Sequence, residues 1–447
     1  MKPPPNRDSP DKLADSALGR IEEPVFIEKP VYGGAFLTHM EGKTVFVPMA
    51  LPGEQAQIHV TQEKRGYASA EIDEIVAAAP DRITPECRHF GPCGGCAYQH
   101  ANYAAQLAFK QAILRETLER GGVRTPGEIR VLSAEPWSYR NRIRLAFDAQ
   151  GNPGYRGRRS HSVVPISECP ISAPLLVEAA AACAHLAHRF APAIRPTGLA
   201  LFCNREETAL LATLFAVNVR RDCFQEFACA FAEQIPALAG IELSVEGHAG
   251  QPQRSVAQWG ALSILYRAAG FDYRVDHGAF FQVNRRLVDA LAGSVTAQRS
   301  GALAWDLFAG VGLFARRLAS TFDRVIAVES APAATAALAH NLSGTTARAV
   351  KSDTLAFLRR NIHGPRPDLI VADPPRIGLG AEISAELVKV APPSMVYVSC
   401  DPATLARDLR VLIAHGYAIE SIALADLFPQ TFHLETVVHL QRASGRT

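Results

Sequence analysis

The fold of the C-terminal part of the chain is indicated by the segment Leu303-Ala304-Trp305-Asp306-Leu307-Phe308-Ala309-Gly310-Val311-Gly312. Its first half is an apolar run typical of a buried strand, and its glycines allow a tight turn that opens a helix. Similar apolar runs follow at 324–328, 368–372 and 395–399, with helical stretches between them. This alternation predicts a parallel sheet with helices on both faces, and such sheets bind ligands at the carboxyl ends of their strands.

Three carboxylates stand at the ends of successive predicted strands. Glu329 follows the second strand, about twenty residues after the glycines, where an acidic side chain can accept hydrogen bonds from both ribose hydroxyls. Asp353 follows the third strand and could accept from an adenine amino group, although capping the next helix explains it equally well. Asp373 follows the fourth strand.

The number of glycines in the turn indicates which class of ligand the site binds. Gly310 and Gly312 form only a short Gly-x-Gly pattern, which is a weak signal alone. A dinucleotide site usually has a third glycine near the helix start, where this chain has Leu313-Phe314-Ala315. The carboxylates therefore fit a nucleoside without a pyrophosphate, and S-adenosylmethionine is such a ligand.

Cys400 follows another predicted strand and precedes Asp401-Pro402, a turn into a helix. A lone cysteine is more often a buried apolar residue, but helix N-terminal amides can lower a thiol pKa and favour the thiolate. Beside a methyl donor, a thiolate that adds to C6 of uracil makes C5 nucleophilic, and a base must then remove the C5 proton. His433 and Glu435 are the candidate bases near the C-terminus, and either could instead be an exposed residue at a strand edge.

A cysteine cluster lies N-terminal to this region. Cys87, Cys93 and Cys96 enclose several glycines, and Cys169 before Pro170 is the best candidate for a fourth ligand. Four thiolates suit zinc or an iron-sulfur cluster equally by chemistry alone.

Basic residues near the cluster indicate contact with nucleic acid. Arg140, Arg142 and Arg144 are expected on one face of a strand, and a basic loop follows at 155–161. Such runs are usually a solvated face, but stacking by Tyr139 and Tyr155 would suit unpaired RNA bases.

Composition sets the broad class. The 447 residues predict about three domains, and 48% apolar with 20% charged residues exclude wholesale disorder. Lys+Arg 46 against Asp+Glu 44 gives +2, so an RNA partner needs a local basic patch. We find no secretory signal or membrane span in the sequence, and nine cysteines without an export signal predict a cytoplasmic protein. Nothing suggests an obligate protein partner, so a monomer is expected.

These residues together resemble the class I S-adenosylmethionine-dependent RNA 5-methyluridine methyltransferases, which act on tRNA and 23S ribosomal RNA. The resemblance covers nearly the whole chain, including an N-terminal barrel similar to the TRAM RNA-binding module. The matching segments occur in the family order, at 280–284, 306–312, 373–378, 399–404 and 428–435. Two positions depart from the family pattern: Ala309, where Cys is common, and Leu313, where a polar residue is common.

The resemblance implies roles for individual residues. Cys400 would be the nucleophile and Glu435 the base. The pocket for S-adenosylmethionine and the target base would be lined by Gln282, Phe308, Gly310, Gly312, Glu329, Asp353 and Asp373. The spacing of the cysteine cluster is similar to that of members with a [4Fe-4S] cluster, which implies that Cys87, Cys93, Cys96 and Cys169 hold one.

The expected architecture is multidomain. Residues 1–20 form a disordered tail, 21–80 an OB-like TRAM β-barrel, and 81–277 an α+β middle domain with the iron-sulfur cluster. Residues 278–447 form an α/β Rossmann-like methyltransferase domain, onto which a helix at 101–121 could pack.

The predicted function is methylation of a specific uridine at C5, with 23S ribosomal RNA favoured by the cluster cysteines and tRNA as the alternative. An amino-methylating enzyme is a second possibility, because Asp-Pro-Pro motifs also hold exocyclic amines, but that reaction needs no thiol. A non-catalytic iron-sulfur RNA-binding protein is a third, against which Cys400 and Glu435 argue.

Overall fold

The computed structural model describes residues 23–217, 220–245 and 254–443. The predicted tail at 1–20 lies outside this part of the chain. The chain divides into two compact units, one ending at Arg82 and the other starting at Ile83. Within the described ranges, no helix is long and apolar enough to cross a membrane.

The first unit is a six-stranded sheet in the order β1-β5-β6-β4-β3-β2. Its strands are β1 (Val25–Phe26), β2 (Lys29–Val31), β3 (Ala35–Met40), β4 (Lys43–Pro48), β5 (Gln55–Glu63) and β6 (Tyr67–Ala77). Alternating apolar residues such as Phe36, Val47 and Ile58 are fully buried, as a one-sided sheet requires. The pairing of β4 with β6 is parallel, whereas the other pairings in this sheet are antiparallel. Alternation reveals which face is buried but not the strand direction.

The second unit contains a seven-stranded sheet in the order β10-β9-β8-β11-β12-β13-β14. Its strands are β8 (Arg142–Phe147), β9 (Pro153–Arg156), β10 (Val163–Pro165), β11 (Arg195–Cys203), β12 (Leu210–Val217), β13 (Leu238–Val245) and β14 (Arg254–Gly260). Helices α2 (Pro174–Arg189) and α3 (Arg221–Gln234) pack on this sheet through one apolar core that includes Cys183 and Cys203. A hairpin of β15 (Ser263–Ala268) and β16 (Phe271–Asp276) follows.

The C-terminal sheet has eight strands in the order β19-β18-β17-β20-β21-β23-β22-β7. The strands are β7 (Arg130–Leu132), β17 (Gly301–Leu307), β18 (Phe322–Glu329), β19 (Ala347–Lys351), β20 (Leu369–Ala372), β21 (Ser394–Ser399), β22 (Tyr417–Ala425) and β23 (Thr436–Arg442). The helices are α1 (Tyr103–Arg120), α4 (Val288–Thr296), α5 (Leu313–Leu318), α6 (Pro332–Asn341), α7 (Thr354–Asn361), α8 (Gly380–Val390) and α9 (Pro402–Ala414). β17 to β21 are parallel, as predicted, and β23 runs antiparallel to β21.

This strand order fixes the position of the ligand site. The chain reverses direction across the sheet between β17 and β20, which are neighbours although they are not consecutive in sequence. Their carboxyl ends form the crevice where open α/β sheets bind ligands.

Two segments from outside the C-terminal region join this sheet. Strand β7 pairs in parallel with β22 at the edge. Helix α1 packs on α9 at a close approach, since a Cβ atom on Gly121 would lie 2.6 Å from the Cβ of Ala406.

Tyr266 and Val275 of the hairpin share one apolar core with Val371. Packing is therefore continuous across position 277, and the division into middle and catalytic domains remains a prediction.

Candidate active site

The glycine turn lies at the carboxyl end of β17. Phe308, Gly310 and Gly312 have φ values of 62°, 56° and 96°, so the backbone is left-handed at all three. A Cβ atom on Gly312 would also lie 2.8 Å from Cδ1 of Leu338, so this position favours glycine on two counts. Leu313 is buried in the core, where its apolar side chain packs in place of a polar contact.

Glu329 ends β18 and faces this turn. Its Oε2 accepts a hydrogen bond from the amide of Gly310 at 2.9 Å, and its Oε1 accepts from the amides of Ser330 and Ala331, both at 2.7 Å. The carboxylate is thereby held at the mouth of the crevice. Asp353 is exposed and caps α7, accepting from the amide of Ala356 at 3.1 Å. Its contact with adenine stays a prediction.

Asp306 is a site residue to which the sequence analysis gave no role. It is fully buried in β17, and its Oδ2 accepts from the amide of Ala315 at 2.8 Å, which anchors the start of α5. Burial raises the pKa of Asp306 to about 8, and the neighbouring Asp373 and Glu329 carboxylates add to the shift. The signal was present in the sequence, because a charged residue interrupts an otherwise apolar strand.

Gln282 is buried in the segment between β16 and α4. Its carbonyl accepts a hydrogen bond from Nδ2 of Asn141 at 3.0 Å. The next-door Phe281 packs on Tyr266, with ring centroids 4.5 Å apart, whereas Phe280 is 58% exposed. The segment is therefore fixed on one side and presents an aromatic ring on the other.

Cys400 follows β21, and the next residue, Asp401, caps α9 by accepting from the amides of Ala403 and Thr404 at 3.0 and 2.9 Å. The sequence predicts a lowered thiol pKa at such a position, and this prediction was wrong. Burial and the charges of Glu435 and Asp373 together raise the pKa of the Cys400 thiol to about 11, against opposition from Arg376. Desolvation and the two nearby carboxylates outweigh the opposing charge of Arg376.

Glu435 is buried immediately before β23, and its charge interacts with the Cys400 thiol and the Asp373 carboxyl. Burial and the charge of Asp373 raise the pKa of Glu435 well above its usual range, while Arg376 lowers it. Partial burial raises the pKa of Asp373 to about 7. Cys400, Glu435 and Asp373 thus lie near enough for their charges to interact, and the charge of Arg376 opposes the pKa shifts of Cys400 and Glu435.

The other candidate base, His433, contacts Arg376 and Phe432. Its Nδ1 lies 3.1 Å from Nη2 of Arg376, and its ring contacts Phe432 at 4.3 Å between centroids. Burial, with the positive charge of Arg376, lowers the pKa of His433 to about 4, so the ring is neutral at pH 7. Of the two candidates, Glu435 is the one whose charge acts directly on the Cys400 thiol.

The four predicted cluster cysteines line one small cavity of about 20 Å³. Cys169 Sγ accepts from Oγ of Ser172 at 3.1 Å, and Cys93 Sγ accepts from the amide of Gly95 at 3.4 Å. Burial raises the pKa of Cys96 to about 12, and the other cysteine sulfurs of the cavity contribute to this shift. Within the described ranges, no three His, Cys, Asp or Glu side chains meet closely enough to hold a single metal ion.

A larger cavity of about 730 Å³, here called the basic cavity, is lined by Arg140, Arg142, Arg144, Tyr155 and His433 among others. The guanidinium of Arg142 lies 4.5 Å from the ring of Phe202, and that of Arg144 lies 4.4 Å from the ring of Phe215. His433 also contacts Arg376, so the cavity adjoins the Cys400 site.

The expectation that Tyr139 stacks on RNA bases was wrong. The side chain is fully buried, and its hydroxyl donates to the carbonyl of Pro429 at 3.0 Å. Tyr139 therefore belongs to the core beneath the site, whereas Tyr155 lines the basic cavity and its stacking on RNA bases stays a prediction.

Comparisons with known proteins agree with this geometry. The family pattern described as tRNA (Uracil-5-)-methyltransferase matches residues 365–443, and the TRAM domain pattern matches residues 18–72. A 23S rRNA (uracil(1939)-C(5))-methyltransferase RlmD of Halomonas elongata is 33% identical over 429 residues, which cover 90% of this chain and 86% of the relative. An uncharacterized RNA methyltransferase of Thermotoga maritima is 31% identical, with 94% and 98% covered.

Among solved structures, a tRNA (uracil-54, C5)-methyltransferase of Pyrococcus abyssi in complex with S-adenosyl-L-homocysteine aligns with a TM-score of 0.76 and 24% identity. The alignment covers 93% of this chain and 99% of that chain, so the two share a fold. The identity to full-length relatives and the match of both domain patterns lead to one conclusion. The chain belongs to the family of S-adenosylmethionine-dependent RNA (uracil-C5)-methyltransferases.

Proposed function

We propose that this protein methylates C5 of one uridine in 23S ribosomal RNA, with Cys400 as the nucleophile and Glu435 as the base. The observation that carries the proposal is the meeting of Cys400, Glu435 and Asp373 at the carboxyl ends of β20 and β21. A thiol and a carboxylate are both needed for this chemistry, and neither amine methylation nor passive RNA binding requires the pair.

The reaction has three steps. The Cys400 sulfur, having lost its proton, bonds to C6 of the uracil, and the C5=C6 electron pair moves toward C5 and its neighbouring carbonyl. S-adenosylmethionine, when bound, would supply the methyl group that C5 takes up, and its methyl–sulfur bond would break to leave S-adenosylhomocysteine. Glu435 then accepts the C5 proton, the electron pair restores C5=C6, and the bond between C6 and sulfur breaks.

The residues around the glycine turn suit S-adenosylmethionine. We assign contacts with this ligand to Gln282, Phe308, Gly310, Gly312, Glu329, Asp353 and Asp373. The left-handed turn allows a ligand to approach the backbone closely, and Glu329 stands where a ribose would meet it. The buried Asp306 anchors α5 behind the turn and is assigned a positioning role.

The choice of RNA rests on the relatives. Several relatives with 31–34% identity are named as 23S rRNA (uracil(1939)-C(5))-methyltransferases, whereas the tRNA enzyme has 24% identity. The target uridine must leave its stack to reach Cys400, which favours a loop or a locally opened duplex. The basic cavity would carry the flanking nucleotides, because Arg144 is exposed there above an aromatic ring.

We further propose that Cys87, Cys93, Cys96 and Cys169 hold a [4Fe-4S] cluster. All four line one cavity, and their thiolates are the donor set that such a cluster takes. Four thiolates suit zinc equally by chemistry alone, and the resemblance of the cysteine spacing to that of members with a [4Fe-4S] cluster favours the cluster. Iron and acid-labile sulfide in anaerobically purified protein would support this assignment, and stoichiometric zinc would overturn it.

The remaining assignments complete the proposal. We place the methyltransferase domain at 278–447, the cluster domain at 81–277 and the TRAM barrel at 21–80. The protein would act as a monomer in the cytoplasm, where ribosomal RNA is available.

The test is nucleoside mass spectrometry for 5-methyluridine after incubation of anaerobically purified protein with S-adenosylmethionine and unmodified 23S ribosomal RNA or tRNA. We expect product in the ribosomal RNA only, and none with Cys400→Ala. Product in tRNA alone would change the substrate, whereas wild-type turnover by Cys400→Ala would refute the covalent mechanism.

A further inference from the structure

The catalytic base stands at the end of a buried loop. Residues 426–434, here called the base loop, connect β22 with Glu435 immediately before β23. Gln430 in this loop is 2% exposed and has a φ of 68°, which is a left-handed conformation for a residue other than glycine. Such strain persists only where the surrounding structure fixes the backbone by several contacts, and it is concentrated at functional sites.

Helix α1 supplies one set of these contacts through Gln106. Its Nε2 donates to Oε1 of Gln430 at 2.9 Å, and its Oε1 accepts from the backbone amide of Gln430 at 3.0 Å. Gln106 is 1% exposed, so water does not compete for this reciprocal pair. One side chain therefore fixes both the backbone and the side chain of the strained residue.

One turn further along α1, Lys110 fixes the start of the loop. Its Nζ donates to Oδ1 of Asp426 at 2.6 Å and to the carbonyl of Phe428 at 2.9 Å. The other oxygen of Asp426 accepts from the hydroxyl of Tyr103 at 2.8 Å. Both members of the ion pair are fully buried, so each charge depends on the other.

The opposite side of the loop is held by the segment after the cysteine cluster. The amides of Ala97 and Tyr98 donate to the carbonyl of Gln430 at 2.9 and 3.0 Å. The hydroxyl of Tyr139 donates to the carbonyl of Pro429. The base loop thus has fixed partners on both sides, although α1 lies more than 300 residues away in sequence.

We propose that Gln106 and Lys110 are positioning residues for the second half of the reaction, because they hold the loop that aims Glu435 at the C5 proton. This inference rests on the proposed function. Removal of that proton requires the Glu435 carboxylate within hydrogen-bond reach of it, so a small displacement of the loop slows elimination. Cys400 follows β21, outside the loop, and its addition to C6 is left intact.

The main variant is Gln106→Ala, with Gln111→Ala as the matched control. Gln111 lies on the same helix and donates to the carbonyl of Ile129 at 2.9 Å, away from the base loop. We expect Gln106→Ala to accumulate methylated RNA bound covalently to protein, visible as a shifted band on denaturing gels, by about tenfold over wild type. Its kcat falls, and KM for RNA falls with it, so that kcat/KM changes less than about twofold, because only the step after adduct formation is slowed.

A second variant guards against a simple folding defect. Gln430→Ala removes the partner side chain of Gln106, and the double variant Gln106→Ala/Gln430→Ala should accumulate no more adduct than the stronger single variant. Melting temperatures of all variants are measured alongside. A fall in kcat without adduct, or equal effects in Gln111→Ala, would overturn the inference.

Failure of the inference can be distinguished from failure of the proposed function. If wild-type protein makes 5-methyluridine and Glu435→Gln traps the adduct, the chemistry stands, and a Gln106→Ala protein without adduct refutes only the positioning role. If Glu435→Gln traps nothing, the proposed chemistry itself is refuted, and the positioning role with it.

Discussion

At the scale of single residues, the charges around Cys400 control when its sulfur can attack. Burial, Glu435 and Asp373 together raise the pKa of the thiol to about 11, and Arg376 is the cation that opposes them. Only a small fraction of the sulfur is ionised at neutral pH, so adduct formation should rise about tenfold per pH unit below that pKa. The sign of a change in nearby charge therefore predicts whether adduct formation becomes faster or slower.

Arg376→Gln removes the opposing cation. The thiol pKa should rise further, and single-turnover adduct formation at pH 7.5 should slow by roughly tenfold. The measurement is the first-order rate of adduct formation between pH 6.5 and 9 at saturating RNA. Because Arg376 is exposed, RNA affinity is measured separately. A rate that does not depend on pH in either protein would show that thiol ionisation does not limit the attack.

Glu435→Gln changes the same balance in the opposite direction. Because the Glu435 carboxylate raises the thiol pKa, its replacement should lower that pKa. Without a base, the methylated adduct should then persist, and turnover should fall by about 10²-fold or more. Gel-shift analysis with labelled methyl groups follows both effects. Normal turnover by this variant would exclude Glu435 as the base.

The identity of these residues was within reach of the sequence, but their electrostatics was not. Cys400 before Asp401-Pro402 carries a recognisable pattern, and Glu435 is found by resemblance. The thiol pKa depends on carboxylates from two other segments and on burial, neither of which the local helix start reveals. The prediction for Tyr139 was wrong for the same reason, because the hydrogen-bond partner of its hydroxyl is the carbonyl of Pro429, which is far away in the sequence.

At the scale of elements, strands and helices with a regular apolar period were predictable. The pairing partners of the strands were not predictable, because apolar periodicity does not encode strand direction or neighbouring strands. β4 pairs with β6 in parallel, and β7 joins the edge of a sheet formed by residues beyond 300. Contacts between distant elements depend instead on individual small residues, of which Gly121 is one.

Gly121→Ala tests the packing of α1 on α9. The backbone φ of Gly121 is −74°, so alanine is not strained there, but its Cβ would lie 2.6 Å from the Cβ of Ala406. We expect a loss of about 1–3 kcal/mol in the free energy of unfolding. Gly293→Ala in helix α4 is the control, since a Cβ atom there meets nothing within 4 Å and alanine favours helix. The measurement is the free energy of unfolding of both variants in denaturant. Equal values would contradict the close approach of α1 to α9.

At the scale of the whole molecule, the net charge of +2 cannot attract RNA over a distance. Binding must come from local positive charge, and the basic cavity supplies it beside the Cys400 site. Within that cavity, Nε of Arg142 is buried and has no hydrogen-bond partner among the described residues. Burial lowers the pKa of Arg142 to about 10, so its charge persists at neutral pH.

Arg144→Gln tests whether the basic cavity contacts phosphates. Arg144 is exposed, so its removal should leave the fold intact, and RNA affinity should fall by roughly threefold to tenfold at moderate salt. Each lost phosphate contact reduces the dependence of log affinity on log salt by about one, because fewer counterions are released on binding. Arg267→Gln is the control, since Arg267 is exposed on β15 beside Asp272 and does not line the cavity. Binding curves at several salt concentrations separate the outcomes: a smaller slope for Arg144→Gln alone places phosphate in the cavity, whereas equal slopes for both variants would direct the RNA to another surface.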